Sequence, residues 1–394
     1  MDPYIADWLN LVFRWIHIIA GAAWIGASFY FNWLNNSIRP PEEATPGIAG
    51  NLIAVHGGAF YEVRKYSGAP HKLPKTLHWF KWEAYLTWLS GFLLLLVVYY
   101  LNADVYMVDK DVANITANTA RIVGISSLVG GWFVYDLLCK TPLVERTTWF
   151  ALIGFGLMTL SAYTLCNLLG SRAAYIHVGA MMGTMMAGNV FFNIIPNQKL
   201  MVDALLAGRS PELKKGKEGA LRSLHNNYLT LPVLFIMISN HFPMTYGHES
   251  NWAVLAALAL IGAGTRHYFN LVGQGEKKVW ILPVAALAMV ALALVTRPVT
   301  PEPVPGVTAN FSEAQAIIQT RCLPCHATEP THPAFPEPPL GIIYDTPEDI
   351  KRYVDKILTV AVHNKTMPLG NLTKMTDEER AKLGAWISAG ASLD

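Results

Sequence analysis

Charge is scarce in this chain: only 15% of its 394 residues are Asp, Glu, Lys or Arg, whereas 52% are hydrophobic. That balance excludes an ordinary soluble multidomain enzyme, whose surface needs more polar residues than these. Cysteine is scarce as well, and four residues in a chain this long do not build a disulfide framework. A net charge of +2 gives no sign of a nucleic-acid partner. The first apolar run lacks both a basic leader and a small-residue cleavage site, so it reads as a retained anchor. What the chain does have is apolar sequence in long runs. They lie at roughly 8–34, 83–101, 120–139, 148–169, 172–195, 226–243, 252–272 and 279–296, each long enough to cross a hydrocarbon layer of about 30 Å.

Lys and Arg near span ends stay in the cytoplasm, which orients such a bundle. The first loop holds Arg39, Arg64, Lys65, Lys72, Lys75 and Lys81, and the fifth holds Lys199, Arg209, Lys214, Lys215, Lys217 and Arg222. The third carries Lys140 and Arg146, the seventh Lys277 and Lys278, and the even loops are sparse in cations. With about eight spans, both termini are expected outside the cytoplasm.

The last run passes into Thr300-Pro301-Glu302-Pro303-Val304-Pro305, too rich in proline for a helix and suited to a stiff spacer. Beyond it stands Cys322-Leu323-Pro324-Cys325-His326, the C-x-x-C-H pattern of covalent haem attachment. Its spacing has a mechanical reason, because two cysteines three apart reach both vinyl groups while the next residue turns an imidazole onto the iron. A zinc site would want a second ligand pair, which is absent downstream. Haem is attached to this pattern outside the cytoplasm, so motif and loop charges agree on the side of the C-terminus. Met367, in Thr366-Met367-Pro368-Leu369-Gly370, is the expected sixth iron ligand, with Met375 and His363 as rivals. The expected fold class is therefore all-α: a polytopic membrane bundle of about eight spans over 1–298, a Pro-rich linker over 299–309 and a small class I-like cytochrome c domain over 310–394.

The membrane half shows a weak duplication of four helices. Trp15-Ile16-His17 parallels Tyr175-Ile176-His177, and Gly130 to Leu137 parallels Gly264 to Leu271. Ionisable residues inside spans are costly and mark functional sites by default. His17 and His177 fall toward the outer side, and His78, His225 and His267 toward the cytoplasm. Two layers of imidazole suit one or two haem b groups, since one electron hop does not cross about 30 Å of hydrocarbon.

The first loop combines His56-Gly57-Gly58-Ala59-Phe60-Tyr61-Glu62-Val63-Arg64-Lys65-Tyr66 with Leu77-His78-Trp79-Phe80-Lys81-Trp82. Flat aromatic faces and cations are what a planar anionic heterocycle needs, and also what an amphipathic segment at the lipid headgroups carries. Tyr61, Arg64 and Lys65 are the candidate substrate-binding residues. With the Arg14-Trp15-Ile16-His17 opening helix and the terminal haem motif, these segments resemble the bacterial integral-membrane urate oxidases with a C-terminal cytochrome c domain. The resemblance runs over essentially the whole chain. It implies oxidation of urate to 5-hydroxyisourate in purine degradation at the bacterial inner membrane. Electrons then leave through the haem c to a soluble cytochrome c or terminal oxidase of the respiratory chain. His56 or His78 is the expected base for the second urate proton. A rival reading, a quinol-oxidising conduit with no urate site, shares every haem argument.

Overall fold

The computed structural model describes residues 2–70, 72–297 and 309–393, so the linker expected at 299–309 lies outside the described residues except for its last position. Long helices occupy all eight positions where apolar runs occur. The helices, in chain order, are α1 (Pro3–Ser37), α2 (Trp82–Leu94), α3 (Ala103–Tyr106), α4 (Ala117–Cys139), α5 (Thr147–Cys166), α6 (Ser171–Gly188), α7 (Ile195–Leu206), α8 (Leu213–Ser239), α9 (Pro243–Tyr246), α10 (Asn251–Gly273) and α11 (Ile281–Val295). The first begins sharply because Asp2 accepts hydrogen bonds from the backbone of Tyr4 and Ile5 while Pro3 supplies a preset φ.

Five stretches are long and apolar enough to cross a membrane: Tyr4–Ser37, Trp82–Tyr100, Ala117–Cys139, Thr147–Cys166 and Ser171–Leu206. Their outward faces are apolar rather than charged, with Trp8, Ile18, Ile122, Phe133 and Leu160 all more than half exposed. An apolar exterior of this extent fits lipid, not water. Two of the stretches are longer than their α-helices, because α2 continues as a π-helix over Leu95–Tyr100 and α6 continues through Asn189–Ile194 into α7. The run expected to stop at 195 therefore extends to Leu206.

The helices interleave across the duplication. The first helix of each half packs on the third helix of the other, α1 on α10 and α6 on α4. Glycine permits the closest of these approaches: a Cβ on Gly124 of α4 would lie 2.6 Å from His177 Nε2 of α6.

The all-α expectation fails in the first loop, where two antiparallel strands form, β1 (Ile48–His56) and β2 (Ala59–Tyr66). Their turn is Gly57-Gly58, with φ of +57° and +79°. Two central residues at positive φ match the right-handed twist of flanking strands, which is why paired glycines make two-residue hairpins. The hairpin is tied to the end of α1 by a bridge between Arg39 and Asn51 and by Lys65 Nζ donating to Asn35 Oδ1 at 2.6 Å.

After residue 309 the chain forms a separate helical tail from α12 (Phe311–Arg321), α13 (Leu323–His326), α14 (Pro347–Arg352), α15 (Val354–Ile357) and α16 (Asp377–Ser388). Reciprocal capping boxes, Asn310 with Glu313 and Thr376 with Glu379, start its first and last helices. Ile318, Ile350, Ile357, Leu383 and Trp386 fill a core of its own. The tail rests on the loop after α2: Asn371 Nδ2 donates to Asp111 Oδ2 at 2.8 Å, and the Phe335 ring meets Tyr106 edge-on at 6.5 Å.

Candidate functional site

The tail contains a cavity of about 130 Å³, partly open to solvent. Cys322, Cys325 and His326 line it at the end of α12 and along α13, and Met367 lines it from a distant segment. The rest of the wall is largely apolar, with Phe335, Tyr344, Ile357 and Val360. His326 Nδ1 lies 2.9 Å from the Ile342 carbonyl, which fixes the ring and leaves Nε2 for another partner. That arrangement is the usual support of a metal-bound imidazole. Burial holds the His326 ring below its usual titration range, so it is neutral at pH 7, the form a metal requires. Burial also pushes the Cys322 thiol up to about 12. Arg380 donates to the Met367 carbonyl at 2.7 Å and so anchors the backbone of that segment. Met375, by contrast, is packed in the tail's core, and His363 is not part of the cavity wall.

Two residues of the other half reach this cavity, Tyr106 of α3 and Arg172 of α6. Arg172 donates to the Tyr246 hydroxyl at 3.2 Å, yet its Nε is buried without a partner. Nothing in the sequence near Arg172 links it to a motif 150 residues away; only the docking of the tail does.

The five histidines expected in two layers are dispersed. His17 Nδ1 lies 2.9 Å from the Thr87 carbonyl on α2, and His177 has both ring nitrogens engaged, by the Ala173 carbonyl at 2.8 Å and the Tyr100 hydroxyl at 3.2 Å. His225 Nδ1 meets Tyr135 at 2.9 Å, His267 Nδ1 meets Tyr228 at 2.7 Å, and His78 is exposed with its edge on Phe80. Among the described residues no hydrogen bond or ring contact joins any two of these five. As they stand they do not fit a two-histidine haem, and no electron step is assigned to one. Among the described residues, no group of three or more His, Cys, Asp or Glu side chains comes together to hold a metal ion.

The candidate substrate residues sit on the hairpin and beside it. His56 is exposed next to the Gly57-Gly58 turn, Tyr61 is exposed on β2, and Lys65 is engaged by Asn35. Arg64 turns its guanidinium onto Glu62 through two hydrogen bonds of 2.8 and 2.9 Å, which holds the Glu62 carboxyl below its usual range. The structure gathers Glu62 and Arg64 together but does not bring His56 to His78.

Deeper among the long helices lie two polar clusters. Asp136 of α4 accepts from Arg222 of α8 at 2.8 Å and pairs with Lys140 at 2.6 Å. Asn189, at the start of the π-helix that follows α6, joins that cluster through Arg222, Tyr135 and Asn226. A second cluster gathers Arg266 and Asn270 of α10, Asn227 of α8 and Asn32 of α1.

Helices of spanning length with buried cations among them define a helical protein of the polytopic type, by length and composition. More particularly, the model of the urate oxidase N-terminal family matches residues 3–297, and the chain belongs to that family. Membership implies oxidoreductase chemistry on urate. The match ends where the tail has yet to begin. Searches of curated proteins and of solved structures each returned no match.

Proposed function

We propose that this chain oxidises urate to 5-hydroxyisourate at a bacterial inner membrane and passes the electrons out through a c-type haem in its tail. The observation that carries this reading is the pairing of a urate oxidase family match with a cavity that gathers Cys322, Cys325, His326 and Met367. The overall reaction consumes one urate and one water and yields 5-hydroxyisourate, two protons and two electrons. Cys322 and Cys325 would hold the porphyrin by thioether bonds, with His326 and Met367 on the iron. Bound there, the group supplies a one-electron acceptor whose potential the methionine raises.

The chain's own residues do the rest. The hairpin, basic at Arg39, Arg64 and Lys65, draws an anion toward the helices from the cytoplasmic side. His56 and His78 are exposed, so a proton taken by either passes directly to water. The tail lies at the opposite end, outside the cytoplasm, with a soluble cytochrome c or terminal oxidase as its acceptor. An anaerobic visible spectrum of the detergent-purified protein, before and after urate, tests the proposal. Reduction of the c-type α band by urate alone is the expected result. No reduction by urate, with rapid reduction by a quinol analogue, would move the function to a quinol-oxidising conduit.

A further inference from the structure

Two arginines are buried among the long helices, and only one has a counter-charge. Arg222 is closed by Asp136. Arg266 is 7% exposed, donates from Nε to Asn227 Oδ1 at 2.9 Å and lies 4.0 Å over the Phe29 ring of α1. Among the described residues it forms no ion pair. In the register that aligns 130–137 with 264–271, Asp136 corresponds to Asn270, so the position that carries a carboxylate on α4 carries a neutral amide on α10, four residues from Arg266.

The buried side-chain atoms left unpartnered on Asn227 and Asn270 are both donors. Asn227 Nδ2 and Asn270 Nδ2, on residues 1% and 4% exposed, have no partner. Their oxygens are already used, by Arg266 Nε and by Asn32 Nδ2 at 2.9 Å. Burying a cation without an anion, beside donors without acceptors, is costly on both counts. The set becomes favourable once it holds an anion rich in acceptor oxygens. The seam ends beside the basic hairpin, where Asn36 reaches the Asn270 carbonyl and Arg39 donates to the Gly273 carbonyl at 3.3 Å.

We infer that the seam between α1, α8 and α10 binds the urate monoanion, with Arg266 meeting its charge and Asn227 and Asn270 donating to its carbonyl oxygens. The inference rests on the urate reading above and gives that reading a place in the fold. A carboxylate of a membrane-bound haem would satisfy the same donors, and the test separates the two sources.

Equilibrium dialysis of urate against the full-length protein in detergent, anaerobic and pre-reduced with dithionite so that no urate is consumed, supplies the measurement. Wild type is expected to bind. R266Q should bind at least about thirtyfold more weakly, the loss seen when one partner of a buried charge contact is truncated. R266K should fall between, keeping the charge without the planar fork. N227A, which keeps the cation, is expected to lose about tenfold and serves if R266Q does not fold, folding being judged by monodisperse elution and haem c content. Unchanged urate affinity in folded R266Q or N227A overturns the inference and leaves the function standing. Failure of wild type to bind overturns both. A haem b band that vanishes in R266Q, with urate affinity intact, overturns it and gives the seam to a haem carboxylate.

Discussion

Replacing Asp136 by Asn would leave Arg222 without its counter-charge, and the cost follows from the geometry. The Arg222 guanidinium is 2.8 Å from the Asp136 carboxylate, and both side chains are largely buried, so the pair is desolvated on both sides. Two unit charges about 4 Å apart at an effective dielectric of about 20 interact by roughly 4 kcal/mol. Removing one partner of a buried pair costs about 3–5 kcal/mol, because the other charge is left without compensation. Lys140, itself mostly exposed, contributes about 0.5 kcal/mol at most through its contact with the same carboxylate. Asparagine still accepts a hydrogen bond, so the expected loss for D136N is near the lower end, about 3 kcal/mol. Equilibrium unfolding of the detergent-solubilised protein measures it. D136N/R222M should recover to within about 1 kcal/mol of wild type, the residue reflecting the Asn189 oxygen left unpaired. A D136N loss below about 1 kcal/mol, or a double variant no better than the single, would refute the reasoning.

Three other changes test separate parts of the molecule. Gly57→Val puts a β-branched residue at a φ of +57°, which costs about 1–2 kcal/mol and should open the hairpin to protease over 48–66 before any other segment. Burial raises the Glu379 carboxyl, but Arg321 and the Thr376 backbone outweigh it, so the group sits below the ordinary 4.5. Its contribution to the tail is full above that value and is lost as pH falls through the lowered one; E379Q should remove this acid-dependent part, seen as faster hydrogen exchange in α16 at neutral pH. With the proposed haem in the tail's cavity, removing the adjacent cation by R172Q would favour the oxidised state, and a fall of about 30–60 mV in midpoint potential is expected. An unchanged potential in a spectroscopically intact R172Q would show that Arg172 does not sense the group.

The long helices were legible because apolar length is a local property, and each expected run has a helix at its place. The hairpin was missed although Gly57-Gly58 flanked by Leu52 to Val55 and Phe60 to Val63 is a recognised turn signal. Density of aromatics and cations drew the eye to composition instead of alternation. That Cys322, Cys325 and His326 share one cavity wall is legible because the three are close in sequence, whereas Met367 reaches the same wall only through the fold of the tail. In the sequence Arg266 reads as a cation within or near a span, its roles being snorkelling to an interface or pairing with haem propionates or an anionic substrate. Its partners Asn227 and Asn270 are not legible there, because which amide hydrogens go unpaired is decided by how three separated helices rotate against each other. The five histidines taught the reverse lesson, since similar residues at plausible depths need not meet.

The docking of the tail restricts traffic. Tyr106 and Arg172 stand at the edge of the tail's cavity, and Asn371 is tethered to Asp111, so that edge is occupied by the chain's own helices. A partner arriving from solution meets the tail's remaining surface unless the tail swings away. In the proposed function, electron delivery from the helical part is then an intramolecular event, insensitive to protein concentration, while delivery to a partner stays bimolecular and salt-dependent. The two legs of that journey would obey different rate laws, and dilution would slow only the second.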